Sequence, residues 1–179
     1  GYYDITPIRS TVVEANPITT GTAGSSIVTI DTTAAHGALA GDYVTVSGAT
    51  GFDGIATAAL NQEFEILTVP STTTFTVDTG DGCTAGATNG GGAAVTLEFQ
   101  ISVGSDVAIS GTGWGVGTWG RGAWGSEALV SAGSANQIRL WSLTNYGEDL
   151  VMAVRGGAIY YWDATAGLAV RGVLLSSLG

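Results

Sequence analysis

A chain of 179 residues has room for one large or two small β domains, and 45% hydrophobic residues suffice to fill a core. Charged residues are only 11%, less than half the usual share, and Gly is more than twice as common as usual, at 29 residues. The net charge of −10 repels nucleic-acid phosphates and argues against a sequence-reading DNA binder. The charge is split. Residues 1–110 hold eleven acidic residues against one Arg, whereas residues 111–179 hold four acidic residues against four Arg, so the whole net charge sits in the first part. There is no Lys, and the five Arg are Arg9, Arg121, Arg139, Arg155 and Arg171. Cys83 is alone, so no internal disulfide can form. No apolar run reaches the length of a membrane-spanning helix, and no signal peptide is visible. The opening Gly1, where a Met would stand, reads as the start of a fragment or processed product.

In chain order, residues 1–14 (GYYDITPIRSTVVE) read as an extended entry strand that Asn16-Pro17 ends. Residues 15–102 predict a small all-β barrel or sandwich module. Its strands are 26–31 (SIVTID), 43–47 (YVTVS), 63–69 (EFEILTV), 73–78 (TTFTVD) and 94–101 (AVTLEFQI). Apolar and polar residues alternate in several of them, the period-2 signature of a half-buried strand. Gly- and Thr-rich turns separate them, and no stretch has the 3.6-residue period of a helix.

Residues 103–137 form a Gly/Trp-rich loop. Trp114, Trp119 and Trp124 stand five apart, each followed by Gly, a spacing that fits neither a strand face nor a helix face. Residues 138–179 predict a β meander of four strands, at 138–143, 150–155, 158–162 and 168–174. The first turn is expected at Asn145-Tyr146-Gly147. AVRG occurs twice, at 153–156 and 169–172, one hairpin apart. Four strands of this length have the size of a propeller blade, which packs against neighbours rather than standing alone. The fold class is thus all-β: a small barrel or sandwich module followed by a propeller-blade-like meander.

The residues that could carry chemistry have plainer readings. His36 is the lone histidine and precedes a strand in HGALAGDYVTV, where a ring bonded to local backbone fits better than a catalytic base. One His and one Cys leave too few ligands for zinc. Asp78-Thr-Gly-Asp81-Gly82 has the outline of a calcium loop but lacks the downstream Glu, and a hairpin turn is the simpler reading. The Gly cluster at 111–125 has no GxxxxGK[ST] pattern and no following helix to cradle phosphate. Glu63 and Glu65 share one strand face around Phe64, as on a wet outer surface, rather than a paired-carboxylate hydrolase site. No cofactor, metal or catalytic residue is expected. The candidate assembly interface is Trp114, Trp119 and Trp124, with Arg139, Arg155 and Arg171 placed to pair with acidic groups of a neighbouring subunit.

Several of these segments are familiar as a set. LWSLTNYGEDLVMAVRGGAIYYWD (140–163), the preceding Trp-Gly run and Asp4-Ile5-Thr6-Pro7-Ile8-Arg9 resemble tail structural proteins of tailed bacteriophages. Residues 33–80 resemble a small β module inserted in several phage tail proteins, through His36-Gly37, Gly41-Asp42-Tyr43-Val44, Leu60-Asn61 and TTTFTV. The resemblance implies a non-catalytic virion tail subunit, a ring-forming nozzle, hub or connector component assembled in the host cytoplasm. Its implied partners are other copies of itself and other tail or connector proteins, with no membrane insertion. Such proteins are much longer than this chain. The alternative is a glycan- or receptor-binding adhesin or tail-tip module that uses the Trp-rich loop.

Overall fold

The computed structural model describes residues 3–102, 140–155 and 157–178. The chain is all-β, built of antiparallel sheets with one short helix among the described residues. The first sheet has the order β1-β7-β4-β5, from β1 (Ile8–Glu14), β4 (Tyr43–Ser47), β5 (Glu63–Glu65) and β7 (Val95–Gln100). The second has the order β2-β3-β6, from β2 (Ile18–Thr20), β3 (Ile27–Asp31) and β6 (Thr74–Asp78). Both bury one side on a common core. Val28, Ile30, Phe75 and Val77 come from the second sheet, and Val44, Val46, Leu97 and Phe99 from the first. Strict alternation puts these residues inside. In β3 and β4 every second residue is buried while its neighbours are not. Full burial of each such side chain contributes roughly 1.5–3 kcal/mol.

None of the sheets closes into a barrel, which corrects one of the two forms expected for the module. Among the described residues the isolated bridges Ile18 to Gly90 and Thr68 to Thr76, with bonds such as Thr20 N–H to Ala87 O, stand where a continuous ladder would close the sheets. The physical cause lies in two breaks. Pro17 has no N–H to donate between β1 and β2, and Asn16 before it has φ 51°. Opposite it, Gly91 and Gly92 have φ 101° and 107°, outside any strand conformation. The helical turn α1 (Thr57–Leu60) buries Leu60. The next residue, Asn61, then clasps Ala49, accepting from its N–H at 2.8 Å and donating to its carbonyl at 2.7 Å.

The third sheet is a meander in the order β11-β10-β9-β8. Its strands are β8 (Trp141–Tyr146), β9 (Asp149–Val154), β10 (Ile159–Trp162) and β11 (Val173–Leu174). The first hairpin turns at Gly147-Glu148, not at Asn145–Gly147. Tyr146 pairs with Asp149, and Gly147 takes φ 68°, as the first central residue of a type II′ turn requires. Only Met152 and Val154 of this sheet are buried. The sheet rests on the first part of the chain through Gly172, whose N–H donates to Ile5 O at 3.1 Å. A Cβ at Gly172 would lie 2.7 Å from the end of Met152 and 3.2 Å from Pro7, so a bare backbone is what lets the two parts approach.

Candidate assembly interface

Trp114, Trp119, Trp124 and Arg139 lie outside the described residues. The two remaining arginines come from the repeated AVRG tetrapeptides and meet different fates. Arg155 is exposed at the end of β9 and makes no ion pair among the described residues; its N–H donates to Leu140 O. Arg171 is largely covered. It bridges Asp4 and Glu63, each at 2.5 Å. Glu63 also accepts from Gln100 Nε2 at 2.6 Å. The result is a charged clamp in which the meander, the entry segment and the outer face of the first sheet share one guanidinium. Burial works to raise the Asp4 carboxyl, but the Thr6 N–H and hydroxyl together with Arg171 outweigh it and hold Asp4 below the usual carboxylate range. The Glu63/Glu65 pair is thus an outer face around buried Phe64, with Glu63 committed to the clamp.

A second cluster closes one end of the core. β1 carries a bulge between Ile8 and Ser10, which leaves Arg9 as the extra residue. Its guanidinium lies 5.3 Å above the Phe99 ring, and Nε donates to Gln100 O at 3.2 Å. His36 stacks on Phe99 and meets Phe75 edge-on. It is buried, and its Nδ1 accepts from Ala38 N–H at 3.0 Å, the local backbone bond expected from the sequence. Burial pushes the His36 pKa below its ordinary value and Arg9 adds to the effect, while the backbone of Thr74 and Ser71 partly opposes it. The ring is thus packed between two phenylalanines at the edge of the core.

Two further acidic residues, Asp78 and Asp53, hold loops. Asp78 accepts from Gly80 N–H at 2.9 Å in a tight turn at Gly80, φ 74°. Asp53 accepts from Thr20 Oγ1 at 2.6 Å and Gly86 N–H at 2.8 Å, pinning residues 84–87 to β2. For Asp53 the signal available in the sequence is only an Asp-Gly pair after Phe52. Among the described residues no group of three or more His, Cys, Asp or Glu is arranged to hold a metal. An open cleft of about 540 Å³ runs between β1 and residues 169–177, lined by Ser10, Thr11, Glu98, Val170 and Ser177 with Arg9 and Arg171.

What remains is the surface of the meander. Leu140, Leu143, Tyr146 and Ile159 are exposed, Leu143 to 61% and Tyr146 to 74%. Leu143 stands beside buried Met152, and Trp141 beside buried Val154, so one apolar face runs outward to the rim of the sheet.

No protein-family model matches the chain, and no curated protein matches it. Among solved structures, a phage phi92 endosialidase is similar to it at 13% sequence identity and a TM-score of 0.43. The match covers 91% of this chain and 31% of the endosialidase, so the chain spans less than a third of that protein's length. Likeness at this level assigns neither an activity nor a family.

Proposed function

We propose that this chain is a non-catalytic assembly subunit of a phage tail, built into a closed ring of identical copies as a nozzle, hub or connector component. The observation that carries the reading is the meander itself. A four-stranded sheet that buries only Met152 and Val154 while exposing Leu140, Leu143 and Tyr146 has more apolar surface than it covers. Exposed apolar side chains on both faces of the edge strand β8, Leu143 on one and Tyr146 on the other, leave surface for a partner to cover. The charge split agrees with that role. The electrically neutral part presents the apolar sheet, and the acidic part, which would hold copies or nucleic acid away, carries the self-contained core. The sequence likeness of 140–163 to tail structural proteins supports the same reading.

Electron microscopy of the native particle that contains this chain tests it through mass and symmetry. A closed ring docked between other virion proteins is the expected result. A free monomer that binds a host polysaccharide would contradict it and put the adhesin reading in its place.

A further inference from the structure

The described strands offer several sheet edges, and they are not equally protected. β5 is three residues long and carries Glu63 and Glu65. β11 has two residues and runs directly into a 3-10 turn at Leu175–Ser177. β1 is interrupted by the bulge at Arg9, ends in Glu14 and is flanked by residues 169–174. The edges of β2 and β6 are engaged by the bridges to Gly90 and Thr68. Short length, charge, bulges and cover are the usual ways of blocking edge-to-edge pairing. Among the described residues β8 has none of them. Its six residues, WSLTNY, contain no charge and no Pro, pair with β9 without a register shift, and meet no second strand among the described residues.

The hairpin fixes which backbone groups are left over. With a two-residue turn, Tyr146 and Asp149 form a hydrogen-bonded pair. At the other end Leu140 O accepts from Arg155 N–H at 2.9 Å. Residues 140, 142, 144 and 146 therefore turn their N–H and C=O toward β9, and Trp141, Leu143 and Asn145 turn theirs outward.

We infer that β8 is a pairing edge for a second copy of this chain, joined antiparallel across a two-fold axis so that the two meanders form one continuous sheet. This deepens the assembly role proposed above and rests on it: a two-fold contact pairs copies in twos, and a ring is then closed from such pairs through a second contact. A two-fold perpendicular to a sheet keeps each side chain on its own face. Opposed residues must share a face, so a residue can oppose only its own copy or one an even number of positions away. Centring the axis on Leu143 sets Leu143 against Leu143, Trp141 against Asn145, and Ser142 against Thr144. The residues with outward-facing backbone then fall in hydrogen-bonded pairs, each exchanging both of its bonds. Exposed Leu143 is covered by its own copy, beside Met152 on the same face. Electrostatics favours a second copy at this place. Two chains of net charge −10 repel, but β8 is uncharged and residues 111–179 are neutral overall, so this is the part through which identical chains approach at least cost.

The test uses the full chain. Sedimentation is expected to give a species of twice the 17.9 kDa mass. Leu143→Cys should yield a disulfide-linked dimer on mild oxidation, because facing Cα atoms in such a pair lie about 5.5 Å apart, within disulfide reach. Buried Cys83 does not compete, and an exposed Ser71→Cys variant sets the background. Leu143→Lys opposes two like charges and should weaken the dimer by about tenfold or more while far-ultraviolet circular dichroism is unchanged. A wild-type chain that stays monomeric at every concentration, or a Leu143→Cys variant that cross-links no better than Ser71→Cys, overturns the inference. The two ideas fail separately. Ring particles without this cross-link remove the β8 contact and leave the tail role; the cross-link without any tail particle removes the tail role and leaves the contact.

Discussion

The two parts of this chain solve the burial problem differently. Residues 3–102 fold two sheets onto a shared core in which Val28, Val44, Phe75, Val95, Leu97 and Phe99 have no exposed surface. Residues 140–178 form a sheet of comparable strand count that buries two side chains and leaves Leu140, Leu143, Tyr146, Ile159 and Leu168 in solvent. Both parts are rich in β-branched and aromatic residues, so composition does not separate them. Layering does. A sheet buries a face only when a second layer lies on it, and the first part contains that layer while the described meander does not. The comparison teaches that apolar content gives the demand for burial, and topology decides whether the chain meets it alone.

The largest expected effect strikes the self-sufficient part. Phe99→Ala removes the ring on which Arg9, His36 and Phe75 all pack and should lower stability by about 3–5 kcal/mol in urea unfolding. A change below about 1 kcal/mol would mean that this end of the core collapses around the gap, and the contrast between the parts would weaken.

A smaller effect is expected at the junction. Arg171→Met removes both bridges of the clamp but keeps much of the stem volume. Asp4 and Glu63 are exposed to 48% and 36%, so water screens the pair and the loss should be about 1 kcal/mol or less. The difference from wild type should shrink at high salt. This variant sharpens the comparison because it asks whether Arg171 ties the parts of one chain or joins two chains. The structure gives it acceptors within its own chain, so stability should fall and the mass of the assembly should hold.

The strands of the first part were legible because each is a short alternating run bounded by turn residues. YVTVS is a strand over the same residues, 43–47, that the pattern marks, and SIVTID, TTFTVD and AVTLEFQI differ from β3, β6 and β7 by a residue at one or both ends. Three features were not legible. β2 is three residues between Pro17 and Gly21, too short to show a period. The run EFEILTV divides, because after Glu65 the chain leaves β4 and Leu67 N–H donates to Thr76 O. The expected strand 168–174 shrinks to Val173-Leu174 because the N–H of Gly172 is spent on Ile5 and Arg171 on Asp4 and Glu63. Those partners lie more than a hundred residues away, and no local pattern announces them. The repeated AVRG shows the same limit, since identical tetrapeptides end as an exposed Arg155 and a clamped Arg171. Of the candidate interface, the neutral charge of the second part was readable from the sequence, whereas the bare edge of β8 required knowing which strands pair.

Amide hydrogen exchange on the full chain, dilute and then concentrated, tests most directly whether the first part is complete and the meander is completed by association. β3, β4, β6 and β7 should be protected in both conditions. The amides of Trp141, Leu143 and Asn145 should exchange freely in the dilute chain and become protected only in the concentrated one. Amides of Trp141, Leu143 and Asn145 that are as protected as those of β7 at every concentration would show the meander complete within one chain and would contradict the account.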